Sequence, residues 1–327
     1  FWKTLGVDAP EEGATFTVNE IPLTLVRGIP RSKSLVSQAQ KQTRDSFGFK
    51  WEKRETFEGG VKDYMSHWLV EKYGPVSGWL EDLGPSPIVL DAGCGAAMSG
   101  LAYFGSVMHQ ICYVGADVST AVDIAKQRFA ERELEAGFLQ ADLMALPLAP
   151  NSVDLVFSEG VLHHTDNPRN ALAAVTDLLR LGGRIMFYVY RRKGPVREYT
   201  DDYIRHKMQN VSETEGWAMM EPLTKLGQIL GELDIEIDIP DNIELLDIPA
   251  GRINLQRLFY WHVVKAFYRP EMALDEMNHI NFDWFAPKNA FRQSEDEVRS
   301  WCDELSLCIE REVVEDAGIT VVARKLQ

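Results

Sequence analysis

Hydrophobic and polar positions change rhythm along the chain. Between residues 87 and 190, short apolar runs alternate with segments in which apolar side chains recur every three or four positions. The runs predict buried strands and the longer spacing predicts amphipathic helices. Ile88, Val89 and Leu90 form the first strand, which ends at Asp91 and a glycine loop over 92–97. A helix is expected from 98 to about 109, then a strand over 111–116 ending at Asp117. Ser119 is placed to cap the next helix, whose inner face is Val122, Ala125 and Phe129. A short strand over 137–141 leads to Asp142, and a fourth strand covers 153–157. Asn167 and Pro168 suit the cap and first turn of a helix with Leu172, Val175, Leu178 and Leu179 on one face, stopped by Gly182 and Gly183. Residues 184–190 complete a fifth strand. Strands that alternate with helices in this way predict an α/β domain built on a parallel sheet.

The rhythm breaks outside that region. We divide the chain into an N-terminal extension (1–85), a core (86–190), a mainly helical insertion (191–290) and a closing helix and hairpin (291–327). The extension is rich in aromatics, among them Phe47, Phe49, Trp51 and Trp68. Three of these read equally as a lid or as packing against the sheet. The insertion carries helical stretches, notably over 254–267, and an acidic segment around 234–247. Its stripe of Leu255, Leu258, Phe259, Val263 and Phe267 reads as an internal helix face, since no dense basic face opposes it as a membrane-lying helix would require. Ser294 is expected to cap a helix running to Trp301, and 309–314 with 319–323 to pair as a hairpin.

Charge narrows the partners. Against 34 Lys and Arg stand 49 Asp and Glu, a net charge of −15. Such a field repels polyphosphate, and the basic clusters at 50–54 and 191–193 are short, so nucleic acid is disfavoured as a partner. Cys94, Cys112, Cys302 and Cys308 include no C-x-x-C pair and complete no zinc-ligand pattern, so no metal is expected. They read as free thiols of a cytoplasmic protein. No apolar run is long enough to cross a bilayer, the first residues lack a secretory pattern, and the missing initiator Met leaves room for a trimmed start.

Candidate chemistry concentrates at the glycine loop. In Val89-Leu90-Asp91-Ala92-Gly93-Cys94-Gly95 a strand gives way to a helix through glycines that allow a ligand close to the backbone. A dinucleotide fingerprint needs a third glycine where this chain has Met98. Asp91 at the loop's entrance suits a ligand bearing an ammonium and a sulfonium better than a pyrophosphate. Asp117 ends the next strand, where a carboxylate can accept both hydroxyls of a ribose, and Asp142 ends the third, placed to face an adenine amino group. Singly, each aspartate reads as well as a helix cap. Together they line one crevice.

These motifs resemble the class I S-adenosylmethionine-dependent methyltransferases over 88–190. VLDAGCG stands as the first motif, GADVS as the ribose motif, ADLMALPL as the adenine motif and VDLVFSEGVLHH as the fourth-strand motif. The resemblance implies a Rossmann-like, doubly wound, mostly parallel sheet of seven strands with one antiparallel strand. It implies S-adenosylmethionine as cofactor, with Asp91, Ala92, Gly93 and Gly95 at its methionine end. Asp117 and Val118 fall at the ribose, Asp142 and Leu143 at the adenine, and Glu159 faces the sulfonium or the acceptor. Residues 29–31 and 47–51 are also similar to a leader found in bacterial methyltransferases of unassigned substrate, in which a zinc-ribbon-like segment precedes the core. No cysteine precedes Cys94 here.

The methyl acceptor is less legible. His163 and His164 follow the fourth strand and are candidate general bases, or loop-shaping residues. Tyr190 and Arg191 end the fifth strand and could point into the crevice. His279, Asn281, Asp283 and Trp284 mix polar groups with aromatics as ligand pockets do, or else form a capped turn. The expected function is methyl transfer to oxygen, nitrogen or carbon of a small molecule. Modification of tRNA or protein, or a non-catalytic protein that keeps the cofactor fold, are the alternatives. The insertion could also cover a two-fold interface in a homo-oligomer.

Overall fold

The computed structural model describes residues 1–33 and 37–326. The chain opens with one helical turn, α1 (Trp2–Leu5), and three short strands, β1 (Thr15–Val18), β2 (Ile21–Val26) and β3 (Ile29–Ser32). Helices α2 (Gln38–Glu52), α3 (Gly60–Tyr73) and α4 (Val76–Leu80) follow. The core then runs β4 (Ile88–Ala92), α5 (Met98–Phe104), β5 (Cys112–Asp117), α6 (Ala121–Ala130), β6 (Gly137–Gln140), β7 (Val153–Glu159), α7 (Pro168–Leu178) and β8 (Leu179–Tyr190). Next come α8 (Pro195–Met208), α9 (Glu213–Glu232), a small hairpin of β9 (Glu236–Ile239) and β10 (Gly251–Asn254), α10 (Leu255–His262) and α11 (Leu274–Phe285). The chain closes with α12 (Glu295–Glu304), β11 (Leu307–Val314) and β12 (Gly318–Lys325).

Among the described residues the main sheet has ten strands in the order β1-β2-β3-β6-β5-β4-β7-β8-β12-β11. The seven from β6 to β11 are the expected α/β sheet. β6, β5, β4, β7 and β8 are parallel, and β12 is antiparallel to both β8 and β11. The expectation of seven strands is corrected upward: β1–β3 form an antiparallel meander whose last strand docks parallel on the edge of β6. An open edge offers unpaired backbone groups, and the meander satisfies them. Two further details differ from the pattern-based expectation. Helix α7 ends at Leu178, and Gly182 and Gly183 lie within β8 rather than after a helix. The insertion contains a strand hairpin as well as helices.

Strand alternation sorts the core into two layers. Leu90, Ala92, Val114, Ala116, Val156 and Phe187 face α7 and α12, where Leu172, Val175, Val298 and Cys302 are buried. Val89, Tyr113, Leu155 and Phe157 face α3, α5 and α6, meeting Tyr73, Phe104 and Phe129. Helices α2, α8, α9, α10 and α11 gather over the carboxyl ends of the strands. Their cluster joins Tyr188 and Tyr190 of β8 to Met208, Trp217, Phe282 and Phe285. Ligands bind at the carboxyl ends of strands in open parallel sheets. The cap therefore roofs the place where a crevice is expected.

Candidate active site

A cavity of about 290 Å³ lies between the sheet and the cap. Its floor is Gly93, Asp117, Val118, Asp142, Leu143 and Glu159, contributed by the ends of β4, β5, β6 and β7. Its roof comes from the extension and the insertion, with Phe47, Trp51, Tyr64, Trp68, Tyr260 and Phe267 among the lining residues.

The loop after β4 is shaped by its glycines. Gly93 has φ +88°, and a Cβ there would meet Val161 Cγ1 at 2.2 Å. A Cβ on Gly95 would meet the Trp51 indole Nε1 at 2.6 Å. The Gly93 and Cys94 amides donate to the Ala116 carbonyl, at 2.7 and 3.0 Å, which ties the loop to β5. Asp117 completes the tie. One carboxylate oxygen accepts the Gly95 amide at 2.9 Å, and the other accepts the Ser119 amide at 2.8 Å and its hydroxyl at 2.6 Å. Asp142 accepts the Met144 amide at 2.9 Å, and burial raises its pKa.

Asp91 differs from the expectation. Strand alternation puts it on the same face as Val89, under α5, where it accepts the Tyr113 hydroxyl and does not line the cavity. Burial pushes its pKa up to about 7, opposed by the tyrosine hydrogen bond. Ala92 is buried in β4, and Gly95 lies against Trp51, so neither lines the cavity. Glu159 does. Its carboxyl accepts the Tyr73 hydroxyl, and burial pushes its pKa up to about 8.

The histidines separate. His163 is fully buried, stacks on Tyr190 with ring centroids 3.6 Å apart, and does not line the cavity. Among the described residues neither of its ring nitrogens has a hydrogen-bond partner, and burial drives its pKa well down. His164 does line the cavity. Its Nδ1 lies 2.6 Å from the Asn289 carbonyl, which can only accept, so Nδ1 carries the proton and Nε2 the lone pair. Burial lowers its pKa to about 4, so the ring is neutral at pH 7.

The segment over 279–284 is part of helix α11 rather than a capped turn. Helical spacing places His279 and Asp283, four apart, on the cavity wall. Asn281 and Trp284 fall on other faces and do not line it. Asn281 bridges the Phe267 amide at 3.1 Å and the Thr224 hydroxyl at 2.9 Å. Trp284 donates its indole N–H to Asp201 at 2.7 Å. His279 Nδ1 bonds Thr56 at 2.7 Å. Tyr190 lines the cavity and donates to Asp283 at 3.1 Å, whereas Arg191 turns away to Glu295 at 2.8 Å.

Two wall residues escaped the sequence reading. Lys50 of α2 pairs with Asp283, and Lys265 lies buried beside the same carboxylate. The only trace of the second in the sequence is a cation flanked by apolar residues, Val264-Lys265-Ala266-Phe267.

Comparison with known proteins settles the nature of the core. A family model described as a methyltransferase domain matches residues 90–187, which run from β4 to β8 and include the loop, Asp117, Asp142 and Glu159. Residues 90–187 therefore match a methyltransferase domain. S-adenosylmethionine is the cofactor of such domains, and the residues present suit it: Gly93 of the loop lines the cavity, and the Asp117 and Asp142 carboxyls on its floor suit a ligand bearing cationic groups and hydroxyls. Among curated relatives, a tRNA (carboxymethyluridine(34)-5-O)-methyltransferase of Xenopus tropicalis is 26% identical over 46% of this chain and 24% of its own length. A phthiotriol/phenolphthiotriol dimycocerosates methyltransferase of Mycobacterium leprae is 27% identical over 39% of this chain and 46% of its own. The chain therefore spans less than half the length of either relative. Among solved structures, magnesium protoporphyrin IX methyltransferase of Synechocystis superposes with a TM-score of 0.46 at 14% identity, covering 90% of this chain and all of that one.

Proposed function

We propose that this chain transfers a methyl group from S-adenosylmethionine to a small, largely apolar acceptor held in the roofed cavity. One observation carries the reading: the methyltransferase floor and an aromatic roof built by this chain's own extension and insertion border one and the same cleft. Relatives named for tRNA and for phthiotriol/phenolphthiotriol dimycocerosates share the core, so the core leaves the acceptor open and the roof supports the choice. The part of the cavity beyond the cofactor floor is walled by tyrosine and tryptophan, which suits a small-molecule body. The net charge of −15 opposes a polyanionic one.

Bound S-adenosylmethionine supplies an electrophilic methyl group that requires in-line attack. The residues then divide the work. Asp117 takes the ribose, while its bonds to Gly95 and Ser119 hold the loop in shape before binding. Asp142 and Leu143 flank the adenine. Glu159 faces the reacting end while its carboxyl accepts the Tyr73 hydroxyl. Trp68, Tyr188 and Tyr260 exclude water, and positioning with desolvation accounts for much of the rate in such a displacement. His164 borders the acceptor space with its ring, its Nε2 buried and its Nδ1 held by the Asn289 carbonyl. A pKa near 4 makes it a weak base, so it shapes the wall rather than removing a proton ahead of attack.

The test is incubation with methyl-labelled S-adenosylmethionine and two acceptor pools, small-molecule extract and total tRNA. The reading expects label in the small molecules. Label confined to tRNA would overturn the acceptor class, and label in neither pool with no cofactor binding would overturn methyl transfer.

A further inference from the structure

The cavity is electrically two-ended. Asp117 and Asp142 stand at the ends of β5 and β6, with the protonated Glu159 at the end of β7, while Lys50 and Lys265 stand on the roof above β8. Neighbouring strands lie about 4.8 Å apart, so three strand spacings, about 14 Å, separate Asp117 on β5 from Tyr190 on β8. Tyr190 donates to Asp283 at 3.1 Å, which fixes the cationic end of the cavity over β8.

Charge at that end does not balance. Asp283 is fully engaged, with Lys50 on one oxygen and Tyr190 on the other. Lys50 Nζ also lies 4.1 Å from the Trp51 ring centroid. Asp201, buried in α8, is held by Arg197 at 2.8 Å and by the Trp284 indole, and Glu276, buried in α11, accepts the Ala273 amide at 2.8 Å at the start of its own helix. Lys265 is left over. Its residue is 7% exposed, and its hydrogen bond runs to the Ile280 carbonyl at 3.1 Å. Its Nζ lies 4.8 Å from the Trp284 ring centroid. Among the described residues no carboxylate lies within ion-pair distance of it. An ammonium has three donors, and a buried one with no directly paired anion is unfavourable; Asp283 and Asp201 act on Lys265 only from beyond ion-pair distance. Burial accordingly pulls the Lys265 pKa down to about 7. A negative partner inside the cavity would restore the full charge.

We propose that the acceptor carries an anionic oxygen, such as a carboxylate or phenolate, and that Lys265 Nζ binds it beneath the aromatic roof. The substrate class is then a ring-bearing, largely apolar small molecule with one acidic group. This inference rests on the methyltransferase reading above. The cofactor's own carboxylate is the rival anion, but it belongs with the glycine loop of β4, two strands from β8.

The experiment titrates the whole chain, saturated with S-adenosylhomocysteine, with 2-naphthoate and with neutral 2-naphthamide, following tryptophan fluorescence. The wild type should prefer naphthoate by at least about tenfold, the scale of one charge-assisted hydrogen bond. Lys265→Met should lose that preference, Lys265→Arg should recover part of it, and S-adenosylhomocysteine affinity should stay the same in all three. Lys265→Met removes a buried charge and is expected to fold, with an unchanged or higher Tm. Equal binding of the two probes by wild type, binding of neither, or a preference kept in Lys265→Met would overturn the proposal. So would a loss of S-adenosylhomocysteine affinity in Lys265→Met, which would hand the lysine to the cofactor. A wild type that binds no S-adenosylhomocysteine would overturn the methyltransferase reading itself.

Discussion

Replacing Glu159 with glutamine should flatten the pH dependence of folding stability. Burial pushes the Glu159 pKa up to about 8 while its carboxyl accepts the Tyr73 hydroxyl. In the unfolded chain a glutamate titrates at about 4.3. Between those values the folded chain keeps a proton that the unfolded chain has released. Stability is therefore fullest below the unfolded value and is lost as pH rises through the folded one. At about 1.4 kcal/mol per tenfold change, the whole interval amounts to ~5 kcal/mol, of which ~3 kcal/mol falls between about pH 5.5 and about pH 8.5. Asp91, raised to about 7, acts in the same direction in both proteins, and its charge is one of the causes that raise Glu159. Glu159→Gln keeps the shape and can still accept from Tyr73, but has no proton to lose. Urea unfolding at several pH values should show the wild type losing about 3 kcal/mol more than Glu159→Gln across that window. Parallel profiles would refute the claim that this carboxyl is protonated in the folded chain.

Three further outcomes are expected. Asp117→Ala should weaken S-adenosylmethionine binding at least about tenfold by calorimetry, since it removes the ribose acceptor and two hydrogen bonds of the loop. Gly93→Ala should weaken it comparably, because φ +88° and a contact of 2.2 Å with Val161 force the loop out of shape. His163→Phe should leave the methyl-transfer rate within about twofold, as its ring stays off the cavity wall, whereas His164→Ala, which removes part of that wall, should lower kcat with cofactor affinity unchanged.

The core was legible because its strands are short, apolar and punctuated by Asp91, Asp117 and Asp142, and because helix caps such as Asn167 and Ser294 act locally. The meander β1–β3 was not. Its strands are short and half-exposed, and its two-residue turns use Asn19-Glu20 and Arg27-Gly28, with positive φ at each residue. Turns of this kind usually announce themselves as Asn-Gly or Asp-Gly. The floor of the cavity is set by strand ends, so Asp117, Asp142 and Glu159 could be placed from the sequence. The roof depends on how distant helices pack. Only the fold reveals that His279 and Asp283 share a helix face, that Asn281 serves a buried polar network, and that Lys50, distant in sequence from Asp283, is its partner. Asp91 shows the limit of reading a motif without its alternation, since one position along a strand decides which layer a side chain enters.

The most direct test of the account is calorimetric titration of the purified chain with S-adenosylmethionine, and separately with NAD and its reduced form. The account predicts saturable, roughly micromolar binding of S-adenosylmethionine alone, at one site per chain. Binding of the nicotinamide cofactor, or of neither ligand by a folded protein, would contradict it.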